Sequence, residues 1–405
     1  MSTYLTVIFK RSAGQVVAIL AIRNLVAAAT SLGLFLSSID AYKLSVASII
    51  VGVHVAASIV SAPIRGRIVD KFGRARTLIP LLFASSALLL LLSLALIGGK
   101  TAVPIVLGIA VVQAITTPPI DAVIRTEWKN FSHSDYEKRA FHSIDSILEE
   151  AGFLAGPLLM ALFQLFISPN LAFVLLSLLS VSTSAWLVLL PSMRIAMKRP
   201  QDPGEAHPLV KRSFFRILMG PIVSIELARI VIPLILMGAA IAAATAPIPA
   251  IVPGGERNPV TSLMFSLISV GGLIGGLWFG TSKWGATERK KQLILVIWLA
   301  VGFLPVVIYP SLLSLSFSLI ASGMAVTPLF INSYLLLDSD LPKSVEHEAN
   351  TWVPVSYNIG YSIVLPLAGA SAENESGYSM LILAVVIGVC LLYSIIAAPA
   401  SSGRR

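Results

Sequence analysis

Long apolar segments alternate with short polar ones along almost the whole chain, and this alternation predicts helices that cross a lipid bilayer. A spanning helix needs about 20 apolar residues, and each segment is close to that length. Barrel strands do not fit, because these segments are uniformly apolar and because backbone groups in hydrocarbon need partners within their own segment. The predicted spans lie at about 15–38, 44–64, 77–97, 102–126, 142–167, 170–191, 217–246, 260–281, 292–309, 312–337, 349–370 and 378–398.

One polar segment is much longer than the others and lies midway along the chain. It contains Lys198-Arg199-Pro200-Gln201-Asp202-Pro203-Gly204, a composition typical of a solvated linker. The predicted domains are therefore an N-terminal six-helix bundle at 1–191, a cytoplasmic linker at 192–216 and a C-terminal six-helix bundle at 217–405.

The two halves also resemble each other in sequence. One shift of the numbering aligns Gly14 and Arg23, in span 1, with Gly220 and Arg229, in span 7. The Thr-Pro pair at 117–118 recurs at 327–328 with nearly the same shift. Matches in the same order at a nearly constant offset indicate two parallel repeats.

Composition and charge support this layout. Hydrophobic residues make up 56% of the chain and charged residues 12%, which excludes a soluble globular protein. A topology with both termini in the cytoplasm places most Lys and Arg residues on the cytoplasmic side, as the positive-inside rule requires. The net charge of +9 then reflects topology and anionic lipid, so no nucleic-acid partner is expected. We expect a multi-pass protein of the cell membrane, with no cleavable signal.

The charged segment between spans 2 and 3 carries the most specific signal. It reads Gly66-Arg67-Ile68-Val69-Asp70-Lys71-Phe72-Gly73-Arg74-Ala75-Arg76 and is predicted to form a tight turn at the membrane surface. Its spacing of glycine, aspartate and basic residues resembles the signature loop between helices 2 and 3 of the major facilitator superfamily of transporters. The resemblance implies an all-α integral membrane fold with twelve transmembrane helices in two pseudo-symmetric six-helix bundles, working by alternating access.

The resemblance also implies that this segment is a conformational latch. Asp70 would accept hydrogen bonds at a helix end, and the basic residues would form ion pairs across the seam between the bundles, with Glu127 as the expected partner of Arg74. The glycines would allow close backbone approach or a positive φ angle. The alternative is an ordinary basic turn. The predicted latch residues are Gly66, Asp70, Lys71, Gly73, Arg74, Arg76 and Glu127.

Span 5 contains Gly152, Gly156 and Pro157, a partial match to the glycine-rich helix 5 of the superfamily's drug-efflux-like proton antiporters. Small residues permit close helix contact, and Pro157 removes a backbone hydrogen bond and would kink the helix. The resemblance implies antiport, and the alternative is a kink that serves only packing. The glycine run at 271–276 in span 8 predicts close helix packing.

Ionisable groups inside predicted spans are functional candidates, because burying them in lipid is costly. Glu149 and Glu150 are adjacent carboxylates within span 5, a pair suited to proton coupling, and Asp121 is the next candidate. The resemblance places spans 1, 4, 7 and 10 around a central cavity. For the charged pairs of spans 4 and 7, the alternative to a functional role is a structural ion pair. His54 and Gln113 are weaker candidates. The cavity or substrate candidates are Arg23, Arg125, Glu226, Arg229, Asn332 and Asn358.

The sequence contains no motif for ATP hydrolysis, metal binding or nucleophilic catalysis, so neither an enzyme nor a cofactor is predicted, and a proton gradient is the expected energy source. The first predicted function is proton-coupled efflux of a small amphipathic, drug-like molecule. The alternatives are proton-coupled uptake and a transport-inactive membrane receptor or scaffold. The expected partners are a small-molecule substrate, protons and the lipid bilayer, and the protein is expected to act as a monomer.

Overall fold

The structure is a computed structural model, and it describes residues 11–120, 124, 135–191, 225–282, 284–340, 343–374 and 376–397. The secondary structure across these residues is helical, without a strand. The long helices of the described chain are α1 (Arg11–Ala41), α2 (Leu44–Phe72), α3 (Arg74–Ala95), α4 (Val103–Thr116), α5 (Asp135–Gln164), α6 (Pro169–Leu189), α7 (Ile225–Thr245), α8 (Pro259–Thr281), α9 (Glu288–Gly302), α10 (Leu312–Asp340), α11 (Lys343–Asn374) and α12 (Ser376–Ile396).

These helices correspond one for one to the predicted spans. Nine helices in the described ranges are long and apolar enough to cross a membrane. Helix α4 and the Ala151–Gln164 part of α5 are apolar but shorter, and α11 covers the predicted span at 349–370. The all-α integral membrane fold with twelve transmembrane helices is therefore confirmed.

The helices form two compact units. One unit contains Met1–Tyr42 and Val53–Val210, and the other contains Lys43–Gly52 and Lys211–Arg405. In the first unit α1 packs against α5 and α6, and α3 packs against α4 and α6. In the second unit α7 packs against α11 and α12, and α10 packs against both α8 and α9. The first part of α2 groups with the second unit, and the predicted linker at 192–216 lies outside the described residues.

Glycines bring one pair of helices into close contact in the first unit. A Cβ atom on Gly152 of α5 would lie 2.9 Å from the backbone of Asn24 in α1, and one on Gly156 would lie 2.8 Å from the backbone nitrogen of Ala29. Larger residues would force these backbones apart. Helix α5 is continuous across Pro157, so the proline is accommodated within the helix.

The second unit uses glycines in the same way. Gly238 of α7 lies against the backbone of Tyr357 in α11, and Gly360 of α11 lies against the backbone of Ile235. The first and fifth helices of each half are therefore packed through glycine contacts, in keeping with the repeat seen in the sequence. The glycine run of α8 also packs closely, since Gly275 lies against the backbone of Met324 in α10.

The predicted turn between spans 2 and 3 is wrong in its extent. Helix α2 continues through Gly66 and ends only at Phe72, so the turn consists of Gly73 alone. The long side chains of Arg67 and Lys71 can keep their charges in water while the backbone stays helical, which explains why charge does not end the helix here.

Two other predicted spans differ for reasons of proline geometry. Span 4 was predicted to reach residue 126, but α4 ends at Thr116 and residues 117–119 are not helical. Pro119 disfavours the helical conformation for Pro118, so the tandem prolines break the helix. Span 9 divides into α9 and a short helix at Leu304–Ile308, with Pro305 in the first turn of the second piece.

Candidate functional site

The connection between α2 and α3 is built around Gly73, which has a φ angle of 84°. This left-handed region favours glycine, because a Cβ atom would be strained there. The Gly73 nitrogen donates to the Val69 carbonyl at 2.9 Å, and its own carbonyl accepts from the Thr77 hydroxyl at 2.7 Å. The turn places Arg74 at the first position of α3, where its side chain is buried.

The remaining latch candidates occupy different environments. Gly66 is helical, and no atom of the described residues lies within 4 Å of a Cβ atom built on it. Lys71 and Arg76 are exposed, and the Lys71 Nζ lies 5.3 Å from the ring centre of Phe72. The Asp70 side chain and Glu127 lie outside the described structure, so the Arg74–Glu127 ion pair remains a prediction.

Arg65, which directly precedes the charged segment between spans 2 and 3, connects α2 to the end of α4. Its Nη1 donates to the Ala114 carbonyl at 2.5 Å, and its Nη2 donates to the Ser58 carbonyl at 3.3 Å. The last carbonyls of a helix lack partners within that helix and attract positive charge. Arg65 therefore caps α4 at the proline break, and the tandem prolines were the sequence signal for a helix end that needs such a cap.

A polar cavity of about 170 Å³ lies within the first unit, between α1, α2, α3, α6 and the end of α4. Nonpolar residues such as Val26, Leu82 and Leu89 form part of its wall. Most of the wall consists of hydroxyl-bearing residues, namely Thr30, Ser31, Ser58, Ser85, Ser86, Thr117, Ser180, Thr183 and Ser184.

His54 and Gln113 form the centre of the polar wall. The His54 Nε2 lies 2.7 Å from the Gln113 Oε1, and the Gln113 Nε2 donates to the Ser85 Oγ at 3.2 Å. Because the amide nitrogen of Gln113 points to Ser85, its oxygen accepts the proton of His54 Nε2. A neutral His54 therefore carries its proton on Nε2 and has an acceptor lone pair on Nδ1. Sequence patterns alone favour neither residue strongly, since the two lie on different helices and no local pattern relates them.

The described wall of this cavity contains a cationic side chain and no anionic one. Arg23 of α1 and His54 of α2 are the ionisable residues among the described residues of its wall, which include no carboxylate. Arg23 therefore lines a polar cavity. This cavity is formed by helices of the first unit, whereas the resemblance implied a central cavity lined by spans 1, 4, 7 and 10.

The proton-coupling candidates lie in part beyond the described side chains. Helix α5 carries Glu149 and Glu150, whose side chains are not described, in the turn before Gly152. Since Gly152 lies against Asn24, the backbone turn that carries the two glutamates runs beside the turn that carries Arg23. Asp121 and Arg125 lie outside the described residues.

The candidates of α7 are near its first turn. Glu226 and Arg229 are both exposed, and the Arg229 carbonyl accepts a hydrogen bond from the Tyr393 hydroxyl at 3.1 Å. Their predicted role as cavity residues remains a prediction.

The two asparagine candidates make backbone contacts. Asn332 is fully buried, and its Nδ2 donates to the Glu288 carbonyl at 3.0 Å, joining α10 to α9. The Asn358 Nδ2 donates to the Pro354 carbonyl one turn earlier in α11 at 3.0 Å. Both amides thus stabilise backbone groups in this structure.

An ion pair that the sequence analysis missed joins the same two helices of the second unit. Arg289 Nη2 lies 2.7 Å from Asp340 Oδ2, which connects the start of α9 to the end of α10. The predicted pair of Arg74 and Glu127 would connect the corresponding ends of spans 3 and 4. The second half therefore contains an ion pair at the helix ends that correspond to the predicted pair of the first half.

Several solved membrane transporters share this fold at low sequence identity. A bacterial homologue of the iron transporter ferroportin, in an inward-facing state, superposes with a TM-score of 0.73 at 12% identity, covering 97% of this chain and 100% of that chain. An auto-inhibited peptide transporter of the POT family gives 0.69 at 13% identity, covering 98% and 97%. The nucleoside transporter NupG gives 0.68 at 13% identity, covering 98% of both chains.

Sequence comparison with curated proteins gives no match. The family model of the Major Facilitator Superfamily, in contrast, matches residues 12–365. This match covers most of both halves and includes the charged segment between α2 and α3. The chain belongs to the Major Facilitator Superfamily.

Proposed function

We propose that the protein is a secondary active transporter that exports a small molecule in exchange for protons. It works as a monomer in the cell membrane with both termini in the cytoplasm, and the proton gradient is its energy source. No cofactor takes part. The protein alternates between two states in which the substrate site opens to opposite sides of the membrane.

The observation that carries the proton coupling is the close contact between α5 and α1. The contact of Gly152 with Asn24 sets the turn of Glu149 and Glu150 beside the turn of Arg23, in the membrane-spanning part of the first unit. A carboxylate in such a site can be neutralised either by a proton or by a cation, and switching between the two couples proton binding to a change of state.

The direction of transport is supported by two features of the first unit. The Gly73 turn and the buried Arg74 belong to the segment whose sequence resembles drug-efflux members of the family. Gly156 packs against Ala29 in the helix whose glycine pattern partly resembles that of the antiporters. Together they favour export over uptake.

Purified protein in liposomes, with a pH-sensitive dye trapped inside and an imposed proton gradient, tests the proposal. Lipophilic cations, neutral drugs, sugars and organic acids are added one class at a time. We expect one class to drive proton movement opposite to its own flow. The Glu150→Gln and Glu149→Gln variants test the carboxylates, and Glu256→Gln, in the turn at Gly255–Arg257 between the predicted spans at 217–246 and 260–281, is the matched control.

Each outcome decides between the functions. Proton movement opposite to the substrate, lost in a span 5 variant and kept in Glu256→Gln, supports export by antiport. Movement in the same direction as the substrate shows uptake by symport. If no class in a broad panel moves protons, the proposal is wrong and the receptor or scaffold role takes its place.

A further inference from the structure

The cavity of the first unit is a half-open cleft with both polar and nonpolar walls, which distinguishes it from an enclosed packing defect. Cavities that stay empty in proteins are lined by apolar groups, whereas polar ones hold water or a ligand. Nine hydroxyl-bearing residues and the linked side chains of His54 and Gln113 line this one. Its contents must therefore form hydrogen bonds with the wall.

We infer that this cavity is a binding site for a small uncharged solute that carries hydroxyl or amide groups. The inference rests on the proposed function in one respect, since it identifies the occupant as the transported solute. It gives the solute a hydrogen-bonding polar group, which the amphipathic drug predicted from sequence does not require.

The size of the cavity sets the size of the solute. An apolar cavity of about 150 Å³ holds one benzene molecule, and this cavity measures about 170 Å³. The part of the solute that lies inside the cavity therefore has about six to eight non-hydrogen atoms, by the same comparison.

The charge of the wall sets the charge of the solute. Among the described wall residues a cation would meet Arg23 and no carboxylate, so these residues would not compensate its desolvation. Arg23 already takes part in another interaction, whereas the neutral hydroxyls of the wall offer hydrogen-bond partners to an uncharged solute. Hydroxyl and amide groups of a solute can form hydrogen bonds with such a wall without bringing a net charge into the cavity.

The polar anchor of the site is fixed by hydrogen bonds. Ser85 orients the Gln113 amide, and Gln113 orients the His54 ring. This leaves His54 Nδ1 as an acceptor for a solute hydroxyl or N–H group. A small solute loses little entropy when its partners are already oriented.

The test is equilibrium binding to the full-length protein in detergent, measured by thermal unfolding. The probes are glycerol, erythritol and urea as uncharged solutes, lactate as an anion and tetramethylammonium as a cation. A ligand that binds the folded state raises the unfolding temperature in a saturable way. We expect saturable stabilisation by at least one uncharged probe and none by the ions.

Two variants locate the effect. Ala27 lines the cavity and is exposed to it, so Ala27→Leu fills the space without removing a polar group. Thr30→Val removes one hydroxyl at nearly constant shape. We expect Ala27→Leu to abolish the saturable shift and Thr30→Val to weaken the affinity by about two- to tenfold. The matched control is Ala87→Leu, at an exposed position of α3 away from the cavity wall.

Equal shifts of the unfolding temperature in the wild type, Ala27→Leu and Ala87→Leu would overturn the inference, since they would indicate a general solvent effect. It is also overturned by saturable binding of only an ion, or by no saturable binding at all, which would leave water as the sole occupant. Binding without proton-coupled transport in liposomes would refute the proposed function but would still support the inferred binding site. Transport without any effect of Ala27→Leu on binding would refute the site alone.

Discussion

The imidazole of His54 in α2 and the amide of Gln113 in α4 are joined by a 2.7 Å hydrogen bond inside the first unit. Gln113 is almost fully buried, and the next residue of α4, Ala114, accepts a hydrogen bond from Arg65 of α2. The bond therefore fixes the ring, the amide and the register of two helices at the cavity wall.

Removing both partners of this bond should cost less than the sum of removing each one alone. Gln113→Leu leaves the His54 N–H without its acceptor, and an unsatisfied buried donor costs about 1–3 kcal/mol. We expect His54→Leu to cost a similar amount and the double variant to cost less than the sum of the two. Thermal unfolding of the four proteins in one detergent measures this coupling, and strictly additive losses would contradict it.

The close contact of α5 with α1 predicts strong intolerance of a methyl group at Gly156. A Cβ atom there would lie 2.8 Å from the backbone nitrogen of Ala29, so Gly156→Ala should destabilise the protein by about 1–3 kcal/mol. The matched control is Gly108→Ala in α4, where a Cβ atom has no described neighbour within 4 Å. That substitution should be neutral or stabilising by up to about 1 kcal/mol. Equal unfolding temperatures for the two variants would contradict the contact.

The two glycines of the latch segment should respond differently to alanine. Gly73 has a φ angle of 84°, so Gly73→Ala should destabilise by about 1–2 kcal/mol. Gly66 is helical, and Gly66→Ala should not lower the unfolding temperature. If Gly66 is needed for a close approach in another transport state, Gly66→Ala will slow transport with stability unchanged. A loss of stability in Gly66→Ala would show that the glycine serves folding instead.

A carboxylate at the end of α11 predicts a pH-dependent contribution to stability. Glu373 lies beyond the predicted span at 349–370, accepts a hydrogen bond from the Ser45 nitrogen at 3.0 Å and lies 3.5 Å from the Lys43 Nζ. Hydrogen bonding from Ser45, with help from Lys43, lowers the pKa of Glu373. A group whose folded pKa is lowered stabilises the protein above its unfolded pKa, about 4.3 for Glu, and loses this effect as the pH falls through the folded pKa.

The Glu373→Gln variant measures that contribution. We expect it to be less stable than the wild type at neutral pH, with the difference shrinking as the pH falls below about 4.3. Unfolding temperatures of both proteins across this acidic range provide the test. A difference that is constant with pH, or that grows in acid, would contradict the assignment.

Much of the fold follows from local sequence, because span length, loop charge and glycine runs act over short distances. The packing at Gly275 and the positive φ at Gly73 were both predicted from such patterns. The matching prolines of the two repeats, Pro118 and Pro328, have different effects. Tandem prolines end α4, whereas α10 accommodates a single proline and continues to Asp340, since one lost hydrogen bond is tolerated within a long packed helix.

The candidate site depends on contacts between helices, which sequence patterns do not reveal. His54 and Gln113 lie on separate helices, and the Arg65 contact with Ala114 likewise joins α2 to α4. Both require the relative rotation of helices to be known. Arg289 was counted as a loop charge, and its ion pair with Asp340 depends on where α9 begins.

The measurement that most directly tests alternating access uses spin labels at the ends of α2 and α8. Phe72 and Thr281 are exposed and accept cysteine, once the native Cys390 is replaced by serine. Pulsed electron resonance in nanodiscs then gives the distribution of distances between the labels. We expect two distance populations whose proportions change between acidic and alkaline pH, and a shift toward a single population in Asp70→Asn. A single distribution, unchanged by pH and by Asp70→Asn, would contradict alternating access and favour a non-transporting receptor or scaffold.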